Sequence, residues 1–252
     1  EQGMQRLAGK RIVVTGGTTG IGYASAERFV AEGATVLLTG QSAERVAQAA
    51  TALGEQATGL VVDQSNLDSV HALAEAVRAR FGALDVLFLN AGVAVPAATD
   101  AETESGFDRQ FTINVKAPFF IMQALAPALA SGASVIVNTT TLTSLGMPGM
   151  ATYSASKAAL RSLVRTWAAE YVGRGVRVNA IAPGPVETPI YAKLGLDEAG
   201  MQAWATQILG NVPMKRFASA DEIAGAAAFL ASADSAYMTG EELTLDGGWA
   251  SV

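Results

Sequence analysis

The sequence predicts an α/β fold in which a doubly wound, mostly parallel sheet of seven strands carries helices on both faces. Short apolar runs alternate with longer helical patterns, as in repeated strand–helix–strand units. The short runs are rich in valine, leucine and isoleucine, which is typical of parallel strands buried on both faces. No linker or low-complexity tract interrupts the 252 residues, so we expect a single domain over residues 1–252.

Strands and helices follow each other in order along most of the chain. The predicted strands are 11–15, 35–39, 59–62, 84–89, 134–138, 177–181 and 242–245. The predicted helices are 21–32, 43–53, 66–80, 103–130, 151–172 and 219–231. Each strand therefore leads into a helix that returns the chain for the next parallel strand.

Residues 186–217 depart from this alternation. Prolines and bulky apolar residues follow the sixth strand, where a sheet of this kind opens its ligand crevice. We interpret the segment as a small helical lid over an apolar substrate. An ordinary helical insertion would have the same pattern.

Composition excludes several classes of function. The net charge is −6 and no basic stretch stands out, which argues against nucleic acid as a partner. The chain has no cysteine, and its one histidine, His71, lies on a predicted surface helix, so we predict no metal site. No apolar run reaches the ~18 residues of a membrane span and no signal peptide is recognisable, so we expect a cytoplasmic protein without a membrane partner.

A glycine-rich turn joins the first predicted strand to the first helix. It reads Thr-Gly-Gly-Thr-Thr-Gly-Ile-Gly over residues 15–22. Glycines let the backbone turn sharply and approach a pyrophosphate, and the helix N-terminus offers N–H groups and a favourable dipole. The spacing differs from the common Gly-x-Gly-x-x-Gly pattern, but the strand-to-helix context predicts a dinucleotide site.

Tyr153 and Lys157 lie four residues apart near the start of the predicted helix 151–172. This spacing places both side chains on one helical face, where a lysine ammonium stabilises the phenolate and lowers the tyrosine pKa. The pair can then exchange a proton near neutral pH. Taken alone, the spacing favours an ordinary exposed tyrosine and lysine, because two residues make a weak motif.

Further motifs accompany this pair in a fixed order. They are Thr15-Gly16-(x)3-Gly20-Ile21-Gly22, Asp63, Asn90-Ala91-Gly92, Asn114, Tyr153-(x)3-Lys157, Pro183-Gly184-(x)3-Thr188 and Leu245-Asp246-Gly247-Gly248. Through them the chain resembles the short-chain dehydrogenase/reductase family in its single-domain form. The resemblance covers essentially the whole chain and implies a Rossmann fold and an NAD(P)-dependent oxidoreductase acting on ketones or secondary alcohols.

The resemblance also implies roles for four catalytic residues. Tyr153 would be the acid/base, and Lys157 would lower its pKa and bind the nicotinamide ribose. Asn114 would hold a water that relays protons to Lys157. The family usually has a serine thirteen residues before the tyrosine; here Thr140 occupies that position and keeps the hydroxyl. Alternatively, Thr140 is only a strand residue and Ser144 or Thr141 supplies the hydroxyl.

The resemblance implies an extended set of cofactor contacts. Asp63 would meet the adenine, and Val186 and Thr188 the carboxamide of the nicotinamide. The predicted cofactor-binding residues are Gly16, Thr18, Thr19, Gly20, Ile21, Gly22, Gly40, Gln41, Ser42, Asp63, Gln64, Asn90, Ala91, Gly92, Tyr153, Lys157, Pro183, Gly184, Val186 and Thr188.

The end of the second strand bears on the choice between the two nicotinamide cofactors. A carboxylate at Gly40 would bind the adenosine ribose 2′-OH and repel a 2′-phosphate, and that carboxylate is missing. An arginine at Gln41 or a basic residue at Thr19 would favour the phosphate, and both are missing too. Gln41 and Ser42 offer neutral donors, and Arg45 follows one helical turn later. We therefore favour NADP(H) over NAD(H).

The expected substrate pocket is apolar and carries few charges. Its predicted lining is Val93, Thr141, Leu142, Thr143, Met147, Met150, Tyr191 and Trp204. This favours ketones or secondary alcohols with hydrophobic substituents. An acyl-carrier-linked 3-oxoacyl reductase and a non-catalytic dinucleotide-binding sensor remain alternatives.

The predicted helix 151–172 is apolar over more than one face. A helix that covers only its own sheet needs one apolar stripe, so the additional surface suggests contact with a second subunit. Related enzymes are commonly tetramers, and the resemblance therefore implies a homotetramer. A thick monomer core would give the same pattern.

Overall fold

Seven parallel strands form the central sheet in the computed structural model, which describes residues 5–188 and 197–252. The strands are β1 (Arg11–Val14), β2 (Thr35–Gly40), β3 (Ala57–Val61), β4 (Leu84–Leu89), β5 (Leu129–Asn138), β6 (Arg177–Pro183) and β7 (Glu242–Leu245). Their order across the sheet is β3-β2-β1-β4-β5-β6-β7. The order reverses between β1 and β4, so the carboxyl ends of these two neighbours flank a crevice.

Helices cover both faces of the sheet. They are α1 (Gly20–Ala31), α2 (Ala43–Leu53), α3 (Leu67–Phe81), α4 (Glu104–Phe111), α5 (Ala117–Leu125), α6 (Ala151–Tyr171), α7 (Glu198–Asn211) and α8 (Ala220–Ala231). Helices α1, α2 and α8 pack on one face, and α3, α5 and α6 on the other. The seven-stranded doubly wound prediction is thus confirmed.

Strand side chains alternate between two hydrophobic cores. In β1, Ile12 and Val14 join the core under α1 and α8, whereas Val13 joins the core under α3, α5 and α6. In β4, Phe88 and Leu89 divide between the cores in the same way. Because successive strand residues point to opposite faces, a sheet covered on both sides needs continuously apolar strands, as the sequence has.

The prediction of one continuous helix over 103–130 is wrong, because the segment is divided into several shorter elements. The segment contains α4, a π-helical turn (Thr112–Lys116), α5 and a 3₁₀ turn (Ala126–Ala128), and β5 begins at Leu129. Two prolines explain the interruptions. Pro118 lacks an N–H and cannot bond to the carbonyl of Asn114 four residues earlier, and Pro127 lies within the 3₁₀ turn.

The two ends of the predicted lid, residues 186–217, are joined by backbone hydrogen bonds. Val186 and Ala218 form an isolated parallel bridge, with bonds of 2.9 Å from Glu187 N to Ala218 O and from Ala218 N to Pro185 O. Helix α7 lies within the segment, whereas Tyr191 falls among residues 189–196, outside the described residues. The lid itself stays a prediction.

Within residues 5–188 and 197–252, none of the helices combines the length and the apolar character that crossing a membrane requires.

Candidate active site

The glycine-rich turn packs tightly against the loop that follows β4. Gly16 has a φ of +65°, and a Cβ built there would lie 2.9 Å from the Cα of Ala91. A Cβ at Gly22 would lie 2.2 Å from the carbonyl oxygen of Gly16. Side chains at these positions would collide with backbone, so glycine is required for the close approach of α1 to both loops.

The Asn90 side chain forms hydrogen bonds with the ends of two neighbouring strands. Its side-chain Nδ2 donates to the carbonyls of Thr15 and Gly16 at 3.1 and 3.2 Å. Its Oδ1 accepts a bond of 2.9 Å from Asn138 Nδ2, at the end of β5. The ends of β1, β4 and β5 are thereby fixed around one crevice.

A cleft of about 690 Å³ opens at this edge of the sheet. Most of the predicted cofactor residues border it: Gly16, Thr18, Thr19, Gly20, Ile21, Gly40, Gln41, Ser42, Gln64, Asn90, Ala91, Gly92 and Thr188. Gly22, Asp63, Tyr153, Lys157, Pro183, Gly184 and Val186 are not among the described residues that line it. Of the latter, Gly22 still shapes the cleft, because it allows the turn to close.

The cleft also has a wall that the sequence did not indicate. Asp108 and Arg109 of α4, together with Thr112 and Ile113 of the π-helical turn, face the glycine-rich turn across it. Nothing in their local sequence marks them, because their position depends on how α4 packs against α6.

Asp63 and Gln64 differ in their relation to the cleft. The Asp63 carboxylate accepts bonds from Ser65 Oγ and N at 2.7 and 2.9 Å, and these bonds lower its pKa. It also lies two residues beyond the end of β3. Gln64 is buried and borders the cleft, whereas Asp63 lies behind two cleft residues that donate to its carboxylate, Ser65 and, at 3.4 Å, Gln41. The contact of either residue with an adenine stays a prediction.

Asn114 lies in the π-helical turn with its side chain fully engaged. Its Oδ1 accepts from Val93 N, and its Nδ2 donates to Val93 O, both at 2.8 Å; Nδ2 also donates to Ser156 Oγ at 3.0 Å. The predicted relay water would therefore bind the main-chain carbonyl, which Pro118 leaves without a bond from its own nitrogen. The water itself stays a prediction.

Lys157 is buried beneath the cleft, with 3% of its surface exposed. Its Nζ donates a bond of 2.7 Å to the carbonyl of Asn138, and a Cβ built at Gly92 would lie 3.0 Å from it. Burial lowers the pKa of Lys157 from 10.5 to about 8. The fold thus holds an ammonium group at the ends of β4 and β5.

Tyr153 lies in the first turn of α6, on the helical face that it shares with Lys157. It is half-buried, and its main-chain carbonyl accepts a bond of 2.7 Å from Ser156 Oγ. Since Ser156 also accepts from Asn114, the π-helical turn and the helix carrying Tyr153 are directly connected.

The threonines that follow β5 have different partners. Thr140 is buried, and its Oγ1 accepts from Leu142 N at 3.3 Å, which leaves its hydroxyl hydrogen to donate elsewhere. The Thr141 hydroxyl donates to Asp246 Oδ2 at 2.8 Å, and Ser144 is exposed with its Oγ 3.4 Å from Arg161 Nη1. Among these bonds only the Thr141 hydroxyl is the donor, and the contact of Thr140 with a substrate oxygen stays a prediction.

Of the predicted substrate residues that the structure describes, Val93 alone borders the cleft. Leu142 is buried, Met147 and Met150 are half-buried in the loop before α6, and Trp204 of α7 lies with its ring centroid 6.1 Å from that of Phe217. Their contact with a substrate stays a prediction.

Comparison with known proteins agrees with this geometry. A family model described as enoyl-(acyl carrier protein) reductase matches residues 16–250. Oxidoreductase asL5 from Sarocladium schorii is 39% identical and covers 99% of both chains. The 3-oxoacyl-(acyl-carrier-protein) reductase FabG from Thermotoga maritima is 34% identical over 96% of this chain and 98% of its own.

Solved structures give the same result. Levodione reductase has a TM-score of 0.92 at 30% identity, covering 97% of this chain and 99% of its own. A structure named short chain dehydrogenase/reductase family protein has a TM-score of 0.85 at 40% identity, with 97% and 99% covered. The chain belongs to the short-chain dehydrogenase/reductase family. The enzyme is therefore an oxidoreductase that uses a nicotinamide dinucleotide.

The residues present fit such a cofactor. The turn at Gly16 and Gly22 has no room for side chains, which allows a pyrophosphate close to the backbone. Among the described contacts of α1, Thr19 makes no side-chain cap and the first turn has no acidic residue, so the helix N-terminus is suited to an anion. The cleft continues from this turn to the ends of β2 and β4.

The lowered pKa of Lys157 predicts a specific pH dependence of stability in the cofactor-free enzyme. Between pH 8 and 10.5 the unfolded chain keeps a proton that the folded chain has lost, so stability rises with pH in this window. Relative to Lys157→Met, which cannot titrate, the free energy of unfolding of the wild type should increase by about 2 kcal/mol from pH 7 to pH 10. Urea unfolding of both proteins measures this; parallel pH curves would contradict it.

Proposed function

We propose that this enzyme interconverts ketones and secondary alcohols with hydrophobic substituents, with Tyr153 as the acid/base and NADP(H) as the preferred cofactor. The observation that carries the proposal is the buried Lys157 ammonium on the helical face that also carries Tyr153. A cation so placed favours the phenolate and lowers the energy needed to move the phenolic proton.

The protein's part in the reaction is proton transfer and charge stabilisation. When bound, the cofactor supplies or accepts the hydride at the carbonyl carbon. Tyr153 donates its proton to the carbonyl oxygen in reduction and removes a proton from the alcohol in oxidation. The Thr140 hydroxyl donates a hydrogen bond to the same oxygen and stabilises the negative charge that develops there.

Lys157 and Asn114 complete this arrangement. The Lys157 ammonium stabilises the phenolate and binds the nicotinamide ribose. The Asn114 carbonyl, which Pro118 leaves without its usual helical donor, holds a water that returns a proton toward Lys157. The engaged Asn114 side chain keeps that carbonyl in place through Val93 and Ser156.

The remaining contacts hold the cofactor and substrate. The turn at residues 16–22 binds the pyrophosphate, Asp63 with Gln64 beside it meets the adenine, and Val186 and Thr188 meet the carboxamide. Apolar side chains on the loop before α6 and on α7 exclude water from the substrate. The most direct candidates are Leu142, Met147, Met150 and Trp204, with Tyr191 completing the predicted set.

Tyr153→Phe tests the assignment directly. Because the variant keeps the ring and loses the proton, we expect ketone reduction to fall at least 100-fold, within the range that general acid catalysis contributes. Turnover is followed by the absorbance of the reduced nicotinamide. Cofactor binding is followed by the fluorescence of the reduced nicotinamide, and the Kd should stay within twofold of the wild-type value. Unchanged turnover in a folded variant would refute the proposal.

The substrate panel for this test separates the alternative functions. It pairs free hydrophobic ketones with 3-oxoacyl groups on an acyl carrier protein. Activity restricted to the carrier-bound substrates would favour the acyl-carrier-linked reductase. Cofactor binding without turnover of any substrate would favour a sensor.

The end of β2 supports the preference for NADP(H). A Cβ built at Gly40 would lie 2.6 Å from Thr18 Cγ2, so a carboxylate that reads the ribose 2′-OH would require the Thr18 side chain to shift. Gln41, Ser42 and Arg45 border this part of the cleft and can donate to a 2′-phosphate.

We therefore expect kcat/KM to be at least tenfold higher with NADPH than with NADH. Arg45→Ala should lower the value for NADPH about tenfold, because it removes a cation beside the phosphate. The value for NADH should stay within twofold and serves as the internal control. Equal or better use of NADH by the wild type would show the preference to be wrong.

Exposed aromatic side chains support a homotetramer. Phe107 of α4 and Phe119 of α5 are 43% and 40% exposed, and the Phe119 ring centroid lies 6.3 Å from that of Trp167 in α6. Large apolar surface of this kind is typical of subunit interfaces.

Sedimentation at micromolar concentration should give about four times the chain mass of 25.9 kDa. Phe119→Glu should reduce the oligomer by placing a charge in an apolar interface. A wild-type mass equal to that of one chain would contradict the tetramer.

A further inference from the structure

The first turn of α6 carries the acid/base at the weakest part of the helix. α6 begins at Ala151, so Tyr153 is its third residue. The N–H groups of a first turn have no partners inside the helix, and helix ends open more readily than helix centres. Within the described structure, the N-cap residue Met150 makes no side-chain bond that would close this end.

Glu102 supplies a bond to this turn from another part of the chain. Its Oε2 accepts a hydrogen bond of 2.5 Å from Thr152 Oγ1, although the two residues are 50 positions apart. Thr152 is 8% exposed and immediately precedes Tyr153. A charged acceptor in a partly buried bond of this length is among the stronger hydrogen bonds in proteins.

The same carboxylate also contacts the start of α4. Glu102 Oε1 accepts a bond of 3.0 Å from Thr103 N, and Thr103 is the N-cap residue of α4. Helix α4 leads into the π-helical turn of Asn114. One side chain therefore joins the beginnings of the two helical segments that carry Asn114 and Tyr153.

The loop before α4 and the loop before α6 are also joined by a backbone hydrogen bond near the bond between Glu102 and Thr152. Ala97 N donates a bond of 2.9 Å to Gly149 O, next to the start of α6. On the other side, Ser156 Oγ donates to the carbonyl of Tyr153. Tyr153 is thus held from within α6 by Ser156 and from outside through Thr152.

We propose that Glu102 is a positioning residue that fixes the first turn of α6 through Thr152 and so keeps the Tyr153 phenol aligned for proton transfer. The catalytic consequence rests on the proposed function of Tyr153, whereas the structural consequence does not. A carboxylate near a helix N-terminus also stabilises the helix through its charge. The experiment must separate this general effect from positioning.

Thr152→Val keeps the side-chain shape and removes the donor without changing charge. We expect kcat for the best ketone to fall about tenfold, with KM and Kd for NADPH within twofold. Thr152→Ser restores the donor and should restore kcat. Glu102→Ala removes the bond to Thr152 and also the bond to Thr103 N, so its kcat should fall at least as far as that of Thr152→Val. Adding Thr152→Val to Glu102→Ala should cause no additional loss, because the bond between the two residues is already broken.

Glu102→Gln separates the hydrogen bond from the charge. It keeps a side-chain oxygen for Thr152, so kcat should stay within about threefold of the wild type. Ser219→Ala is the control for helix stability: Ser219 caps α8 together with Glu222, away from the cleft. It should lower the melting temperature as Thr152→Val does and leave kcat unchanged.

A kcat for Thr152→Val within twofold of the wild type would overturn the proposal, as would losses that add in the double variant. Amide hydrogen exchange over residues 151–157 gives a second readout that does not need turnover. Exchange should be faster in Thr152→Val than in Thr152→Ser, and equal exchange would also overturn the proposal. If the wild type reduces no ketone, the proposed function fails, and the exchange experiment still decides this one.

Discussion

The site depends on the burial of one ammonium group. Lys157 is removed from solvent and donates to the carbonyl at the end of β5, and burial lowers its pKa to about 8. A lysine in this environment is costly to keep charged. The surrounding structure leaves room for it because Gly92, three residues after the end of β4, brings no side chain against the ammonium.

Close packing of backbone determines where the cofactor can lie. The turn after β1 touches the loop after β4 at distances that admit no Cβ, and Asn90 links both to β5. These contacts occur where the strand order reverses, which is where an open parallel sheet has a crevice. The glycine-rich turn and the buried lysine therefore belong to one connected arrangement of strand ends rather than to two separate motifs.

Interrupted helices bring the remaining groups into place. Pro118 interrupts the α-helical hydrogen bonding after α4, and the chain forms a π-helical turn there. In this turn the Asn114 side chain forms hydrogen bonds with Val93 N and Ser156 Oγ. Asp246, directly after β7, also holds loops together by hydrogen bonds. It accepts bonds from the Thr141 hydroxyl and from two backbone N–H groups, and its backbone packs against Gly184.

The sequence alone determined the seven strands, the glycine-rich turn and the pairing of Tyr153 with Lys157. These features rest on local periodicity and spacing, which a chain carries whatever its tertiary contacts. Only the tertiary structure decided that Gln64 rather than Asp63 borders the cleft and that α4 forms its far wall. The same holds for the bond between Glu102 and Thr152, because side chains 50 residues apart meet only when the helices that carry them pack on the sheet.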